Sequence, residues 1–387
     1  MDFELTDTQR ALQDAARTFA ENELGPIARE LEETHAPLPT ELRQRMGELG
    51  FLGVNYPEAY GGLGLDKLEA VIVLEEFSRV SVAVAFPVFE ALGGPAQTIL
   101  HFAPDWLKRD VLPRVIAGDM MVAASLSEPD VGTALTDLST RGEIKGDKIL
   151  LNGAKRWCSG AGSSEGIVLY CRLADKPGAD GIGAVYLERD TPGVAYGKPE
   201  RFLFHLGVRN SEIYLDNAEV PVDNIIVPAG GFKKLMSSFN IERLANATQA
   251  VGVAQSALDY AVQYTQERTQ FGRSLCDFQA VQLRLAEMKM DVEAARLLIH
   301  RAAARSAKGL PSAADSSLAK AYANEAARRV VAHGIQVMGA CGVSKEFPME
   351  QKFRDAWVWG IGGGHIDMHK VNIAADLVGK RFSQRAD

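Results

Sequence analysis

The sequence predicts an α+β fold with an N-terminal α-helical domain at residues 1–120, a central antiparallel β-sheet domain at 121–230 and a C-terminal α-helical domain at 231–387 that resembles a four-helix bundle. The prediction depends on hydrophobic spacing, which is helical in the first and last thirds of the chain. Between them the pattern changes to short β-rich runs separated by glycine turns. No repeat or low-complexity segment interrupts this order.

The first third begins with a capping box, Thr6-Asp7-Thr8-Gln9, and apolar residues follow it at helical spacing. Residues 53–64 hold Pro57 and four glycines, which indicates a loop. Helical spacing resumes at residues 68–74 and continues to Ile116. This part is therefore expected to be helical with one long loop.

The middle third contains short runs rich in β-branched and aromatic residues, at 149–151, 166–170, 183–187 and 212–215. Turn signals at Lys145-Gly146-Asp147 and Asn152-Gly153 bound the first run. Strands of this length with such turns predict an antiparallel sheet.

The last third contains two long apolar stripes at three- and four-residue steps. Such stripes predict neighbouring helices of a bundle. The first consists of Leu244, Ala247, Val251, Ala254, Leu258 and Ala261, and the second of Phe278, Val281, Leu285, Met288, Val292 and Ala295.

Composition excludes several classes of protein. The net charge of −8, without a lysine or arginine run, argues against binding to nucleic acid. The four cysteines form no metal-ligand spacing, which predicts free thiols in a reducing compartment and no metal site. Met1-Asp2-Phe3-Glu4-Leu5 is too acidic for a signal peptide, and no 18-residue apolar run is expected to span a membrane. We therefore expect a cytoplasmic protein.

Common nucleotide, hydrolase and metalloprotease motifs do not occur in the sequence. Residues 125–133, however, place hydroxyls and free backbone N–H groups on a turn beside a strand, where they can line a polar heterocycle or a phosphate. Residues 155–160 place Trp157 next to small hydroxyl side chains. Taken alone, that second segment favours a core tryptophan and a turn serine.

Further short motifs occur in a fixed order along the chain. They are Ser127-Glu128-Pro129 with Gly132-Thr133, Asn152-Gly153-x-Lys155-x-Trp157-x-Ser159, Leu206-Gly207-Val208-Arg209-Asn210-Ser211, Val220-Pro221, Glu267-Arg268-Thr269-Gln270-Phe271-Gly272, Gln336-Val337-Met338-Gly339 and Arg354-Asp355-Ala356. In this order the chain resembles the acyl-CoA dehydrogenase family over essentially its whole length. These are FAD flavoproteins with a helical, sheet, helical fold.

The resemblance implies two groups of residues around FAD. In the first, Trp157 packs on the flavin, Ser127 and Ser159 bond its polar edge near N5, and Thr133 belongs to the same binding loop. The second group reaches the FAD of a partner subunit and consists of Arg268, Phe271, Gln336 and Gly339. His365 and Asp367 also occupy positions that touch FAD, although the family has threonine and glutamine there.

Family chemistry removes a proton from the carbon next to a thioester, and this step needs a carboxylate. Most members supply it from a Tyr-Glu-Gly-Thr segment, but the matching residues here are Gly362-Gly363-Gly364-His365. A minority carry the glutamate on the long helix, one residue before an arginine, as Glu242 is here. We therefore expect Glu242 to be the base and the N–H of Gly363 to donate to the thioester oxygen. Without the vacancy at Gly363, Glu242 would be taken for an exposed helix acid.

Three more residues are expected near the substrate. Asn240 and Arg243 match residues close to bound acyl-CoA in the family. Glu90 falls where the family lines the acyl-tail pocket. A helix acid there is expected to be solvated. The sharper alternative is contact with a polar tail, or a second acid/base role on a cyclic substrate.

The resemblance thus predicts a homotetrameric or dimeric FAD-dependent acyl-CoA dehydrogenase that passes electrons to an electron-transfer flavoprotein. The same scaffold leaves open a lyase such as a desulfinase, a reductase, an oxidase, or an enzyme acting on a carrier-protein thioester. A catalytically silent FAD-binding scaffold is a further alternative. The sequence does not specify the length, branching or polarity of the acyl group.

Overall fold

The computed structural model describes residues 4–380 and 382, so residues 1–3 of the acidic N-terminal segment lie outside it. Helices, sheet and helices follow one another along the chain, which confirms the predicted fold class. The N-terminal helices are α1 (Asp7–Phe19), α2 (Gly25–Thr34), α3 (Thr40–Glu48), α4 (Lys67–Val80), α5 (Val82–Leu92), α6 (Pro95–Phe102) and α7 (Asp105–Ile116). The predicted capping box starts α1, because the N–H of Gln9 donates to Thr6 Oγ1 and the N–H of Thr6 donates to Gln9 Oε1.

The segment that spans α5 and α6 corrects one expectation. Val82–Phe102 is 21 residues long with a mean hydropathy of 1.2, so it is long and apolar enough to cross a membrane. Its most apolar window is 100% buried within the chain, packed against α4, α7 and α8. Burial of this kind is what a core helix needs, and composition alone does not separate it from a membrane span.

The central region forms one mixed sheet. Its strands are β1 (Val122–Ser125), β2 (Arg141–Lys145), β3 (Lys148–Ser159), β4 (Gly166–Arg172), β5 (Ile182–Glu188), β6 (Val194–Tyr196), β7 (Asn210–Pro221) and β8 (Ile225–Val227). The order β6-β7-β3-β2-β4-β5-β8 is antiparallel except where β2 meets β4. In addition, β1 pairs with β4 in parallel, which short β-rich runs do not reveal.

Strand β4 is buried on both faces, which explains its continuous apolar sequence. Ile167, Leu169 and Cys171 face a core made only by the sheet, whereas Val168 and Tyr170 face the helices. The second face of β4 therefore positions side chains against the helical part of the molecule.

The C-terminal helices are α8 (Phe232–Glu267), α9 (Gln279–Ser306), α10 (Ala313–Met338), α11 (Ala340–Val343), α12 (Met349–Asp355) and α13 (Ile366–Val378), with a hairpin of β9 (Thr269–Gln270) and β10 (Arg273–Ser274) after α8. Helices α8, α9 and α13 pack around α10 as the predicted bundle, and α4 also packs on α8. Helix gives way to strand between Ile116 and Val122, and strand to helix between Val227 and Phe232. The exact domain limits stay a prediction.

Candidate active site

Glu242 lies half-buried on α8, and the surrounding protein removes much of the water around its carboxyl group. Burial raises its pKa to about 7, and the positive charges of Lys320 and Arg243 limit the rise. The alternative of an ordinary exposed helix acid is therefore wrong. A carboxyl group whose pKa lies near neutrality is matched to proton transfer at physiological pH.

Lys320 of α10 joins Glu242 to the glycine-rich turn before α13. Its side chain is fully buried, and its ammonium group donates a hydrogen bond to the carbonyl of Gly362 at 2.5 Å. Burial and the nearby charge of Arg243 lower the pKa of Lys320 well below its usual value, while Glu242 opposes this. The acid, the two cations and the turn thus form one cluster.

A side chain at Gly363 would strain the backbone and displace the ends of two neighbouring side chains. Its φ is +69°, and a Cβ atom built there would lie 2.2 Å from Asn246 Nδ2 and 2.8 Å from Lys320 Nζ. Both contacts are too short for real atoms, and a positive φ strains any residue with a Cβ. The turn is therefore built for glycine, and the amide of Asn246 occupies the space in which a side chain would begin.

Glu90 of α5 corrects a second expectation, because it is 8% exposed instead of solvated. Its Oε2 is buried without a hydrogen-bond partner among the residues described. Burial, together with the negative charge of Glu242, raises the pKa of Glu90 well above its usual value. Glu90 is thus a second acid close enough to Glu242 to feel its charge.

Asn240 and Arg243 hold each other on α8. Arg243 Nη1 donates to Asn240 Oδ1 at 2.7 Å, and Asn240 Nδ2 donates to the carbonyl of Pro311 at 3.1 Å. Across from them, Tyr170 of β4 is fully buried, and its pKa is raised by burial and by the charge of Glu242. The helix-facing side of the sheet therefore closes the site, and Asn240 is engaged in positioning Arg243.

Trp157 is not the core tryptophan that its segment alone favours. Its side chain is 49% exposed, and its φ of +63° is rare for a large side chain. The ring is held by the guanidinium of Arg156, 4.3 Å from its centroid, and by Phe202 at 6.1 Å. An aromatic ring fixed in position yet open on one side fits a stacking partner such as a flavin.

The polar residues predicted for the flavin edge lie beside Trp157. The N–H of Arg156 donates to the carbonyl of Ser127 at 3.0 Å, which joins the loop after β1 to the end of β3. Asn210 Nδ2 donates to Ser159 Oγ at 3.0 Å, so the Ser159 hydroxyl keeps its own proton to donate. Thr133 is exposed further along the loop.

A buried ion pair fixes that loop. Lys155 Nζ and Glu128 Oε1 lie 2.9 Å apart, and the backbone N–H groups of Ser139 and Thr140 also donate to the Glu128 carboxylate. With its carboxylate fully paired, the loop is rigid where the flavin edge would bind. Together, the half-exposed ring and the free hydroxyls fit a flavin.

The remaining predicted cofactor residues cluster far from Glu242. Helices α8 and α10 run in parallel, since Asn240 contacts Pro311 at one end and Tyr264 contacts Cys341 at the other. Arg268 lies about 26 residues beyond Glu242, which is roughly 39 Å at about 1.5 Å per residue. The four residues predicted to bind FAD at this far end are all exposed: Arg268, Phe271, Gln336 and Gly339.

Comparison with known proteins identifies the family. Three family models match the chain: acyl-CoA dehydrogenase N-terminal domain over residues 6–119, middle domain over 123–218 and C-terminal domain over 229–378. The chain is 36% identical to glutaryl-CoA dehydrogenase of Desulfococcus multivorans over 100% of both chains. The solved butyryl-CoA dehydrogenase from Megasphaera elsdenii is 32% identical, with a TM-score of 0.94 over 98% of this chain and 100% of that one. The chain belongs to the acyl-CoA dehydrogenase family.

Membership of this family makes the protein a FAD-dependent oxidoreductase. Relatives at a similar level of identity carry other names. Acryloyl-CoA reductase (NADH) of Anaerotignum propionicum and 3-sulfinopropanoyl-CoA desulfinase of Paraburkholderia xenovorans are each 34% identical and are covered over 96% and 99% of their lengths. The comparisons therefore identify the family, but they do not distinguish a dehydrogenase from a reductase or a desulfinase.

His365, which departs from the family's threonine, has a local structural explanation. The N–H of Asp367 donates to His365 Nδ1 at 3.3 Å, so the imidazole caps the N-terminus of α13. Threonine caps helices in the same way. Asp367 lies exposed in the first turn of that helix, where the helix dipole favours a negative charge.

Sequence reasoning missed three members of the cluster around Glu242. Lys320, Asn246 and Tyr170 lie in segments whose pattern predicts only buried helix or strand. The available signal was a lysine and an asparagine among apolar residues in helical segments, because buried polar side chains need partners. His369 was missed as well; burial and the charges of Lys320 and Arg243 lower its pKa to about 3.

Proposed function

We propose that the chain catalyses the α,β-dehydrogenation of an acyl-CoA thioester, with Glu242 removing the α-proton. One observation carries the proposal: a half-buried carboxylate with a pKa of about 7 lies in one cluster with a turn at Gly363 where the family's usual glutamate would strain the backbone. The base has thus moved to the helix, and the turn contributes only backbone.

Each residue of the cluster has a separate task. Burial makes Glu242 basic enough to accept a proton, while the charges of Lys320 and Arg243 keep its pKa from rising above about 7, so that a large fraction is ionised at neutral pH. Asn240 fixes Arg243. The N–H of Gly363 donates to the thioester oxygen, which makes the neighbouring carbon more acidic. Glu90 lines the acyl pocket and contacts a polar part of the tail.

FAD, when bound, supplies the acceptor of the β-hydride at N5. Trp157 stacks on the flavin ring, and the hydroxyls of Ser127 and Ser159 donate to its polar edge. Thr133, His365 and Asp367 lie along the rest of the cofactor. A negative charge on Asp367 would repel the pyrophosphate of bound FAD unless the side chain were displaced from it.

The far-end residues serve the FAD of a second subunit. Arg268 provides a charge suited to phosphate oxygens, and Phe271, Gln336 and Gly339 lie around it. Phe271 is 92% exposed at the tip of the β9–β10 hairpin, where its φ of +53° and that of Gly272 (+77°) form a tight turn. Roughly 39 Å separates this end from Glu242 of the same chain, so the two serve different active sites.

The assembly is a homotetramer or a homodimer. Besides the hairpin, α9 exposes Leu283, Met290 and Leu297 at seven-residue spacing, which places them on one face of the helix. An exposed apolar stripe of this kind is typical of a surface covered by another subunit. The electron acceptor is an electron-transfer flavoprotein, and the site of action is the cytoplasm.

The decisive experiment is anaerobic mixing of the holoenzyme with a panel of acyl-CoA thioesters while flavin absorbance is recorded. Wild type should bleach and stay reduced until an acceptor is added. Glu242→Gln should bind FAD and bleach at least about 10³-fold more slowly. Glu267→Gln, an exposed acid at the end of the same helix, is the matched control and should behave as wild type.

Other outcomes separate the alternatives. Full bleaching in the Glu242→Gln protein would sink the assignment of the base. Release of a substituent without lasting bleaching would indicate an elimination like that of a desulfinase. Reoxidation by oxygen alone would indicate an oxidase, and oxidation of NADH with the unsaturated thioester a reductase. No spectral change with any thioester would indicate a silent scaffold.

A further inference from the structure

Asn246 is a buried side chain that the proposed reaction does not use. It is fully buried on α8, and neither its amide nitrogen nor its amide oxygen has a hydrogen-bond partner among the residues described. A buried amide without partners is unfavourable, and such groups usually meet a ligand or water. The structure therefore leaves one donor and one acceptor site open at this position.

The position of this amide places it between the base and the glycine turn. Asn246 follows Glu242 by one helical turn, so the two side chains lie on the same face of α8. On the other side, Asn246 Nδ2 lies 2.2 Å from the point where a Cβ of Gly363 would stand. No hydrogen bond joins the amide to Glu242 within the described part of the chain, so both polar atoms of the amide stay unpaired unless a ligand or a water molecule reaches them.

Glu90 gives a second, independent indication of a polar ligand. Its carboxyl comes from a different helix, and its Oε2 is also buried and unpartnered among residues 4–380. A saturated hydrocarbon chain packed beside Glu242 would leave both groups unpaired in a site closed to water. An oxygen on the acyl chain would pair with them. Because two carboxyl groups already lie here, a neutral oxygen fits better than a further anion.

We propose that the acyl group of the substrate carries a hydroxyl or carbonyl oxygen close to its reacting carbons, and that Asn246 binds this oxygen. The proposal rests on the proposed function and names its substrate class. Asn246 is then a specificity-determining residue. Its amide forms a hydrogen bond with an oxygenated acyl chain, whereas an alkyl chain leaves the amide unpaired.

The test measures binding without turnover. Glu242→Gln holoenzyme is titrated calorimetrically with two pairs of thioesters matched in size: butanoyl-CoA with 3-hydroxypropanoyl-CoA, and pentanoyl-CoA with 4-hydroxybutanoyl-CoA. We expect the hydroxy thioester to bind at least about tenfold more tightly in one pair or both. Adding Asn246→Leu should abolish that preference. Adding Asn224→Leu, which removes a buried amide that already donates to the carbonyl of Tyr186, should keep it.

Equal or weaker binding of both hydroxy thioesters overturns the proposal, and so does an unchanged preference in the Asn246→Leu protein. If that variant does not fold, the preference of the Glu242→Gln protein alone decides. Tighter binding of glutaryl-CoA than of either hydroxy thioester would overturn the choice of a neutral oxygen. Failure of the proposed function would show elsewhere, as absence of flavin bleaching in wild type with every thioester.

Discussion

The acyl side and the cofactor side of the site are built differently. Glu242, Lys320, Asn246 and Glu90 lie among α5, α8, α10 and β4 of one chain, and the charge of Glu242 raises the pKa values of both Lys320 and Glu90. Most residues assigned to FAD are exposed or half-exposed. The difference fits the proposed function, in which one chain organises proton transfer before ligands arrive, and the cofactor site would be completed by the cofactor and by a second subunit.

The largest expected effect concerns the position of the base. It tests whether the acyl side of the site can use a glutamate at position 363, where most of the family carries it. We predict that adding Gly363→Glu to the Glu242→Gln protein leaves bleaching at least about 10³-fold below wild type, because the new side chain collides with Asn246 and strains the turn. The measurement is anaerobic stopped-flow absorbance. Gly363→Ala serves as control for folding. Recovery of activity would show that the turn at position 363 can hold a working glutamate, which contradicts the prediction.

The next effect concerns pH and follows from the enclosure of Glu242. Since its pKa is raised to about 7, the carboxyl group is increasingly protonated, and inactive as a base, as pH falls below 7. We predict that kcat/KM falls about tenfold per pH unit below that point. Rates measured from pH 5.5 to 9 check this. A flat profile down to pH 5.5 would mean that the carboxyl titrates like an exposed one.

A smaller effect is expected at the exposed hairpin. Phe271→Ala should leave the unfolding temperature nearly unchanged, because the ring is 92% exposed, but should weaken FAD binding by about tenfold. Flavin fluorescence gives the dissociation constant, and light scattering gives the assembly size. Leu63→Ala, a surface leucine of the first helical region, is the control. Unchanged FAD affinity would contradict the shared site.

The smallest effect is expected at His365, on the border between the two sides. We predict that His365→Thr changes the free energy of unfolding by no more than about 0.5 kcal/mol, since either side chain caps α13. Urea unfolding measures this, with His365→Ala as the uncapped comparison. A much larger loss after the threonine substitution would reveal a role beyond capping.

The fold could be predicted from the sequence, since hydrophobic spacing depends on nearby residues. The pairing of Glu242 with Gly363 was predicted only from the resemblance to the family, because the two residues are distant in sequence. It did not reveal the burial of Glu90, because helical spacing around an acid does not show what packs against it. The parallel pairing of β1 with β4 and the contact of Asn246 with Gly363 were also missed. Both join segments distant in sequence, so only the tertiary fold shows them.

The length of α8 predicts that two different defective variants can complement each other. With the base near its start and the hairpin after its end, one helix contributes to two active sites in the proposed assembly. A chain with Glu242→Gln and a chain with Phe271→Ala would each be defective alone. In a mixed dimer, one active site would contain both substitutions. The other would contain the wild-type Glu242 of one chain and the wild-type Phe271 of the other. At a limiting FAD concentration, coexpression of the two defective proteins should therefore give more activity than either protein alone, by intersubunit complementation.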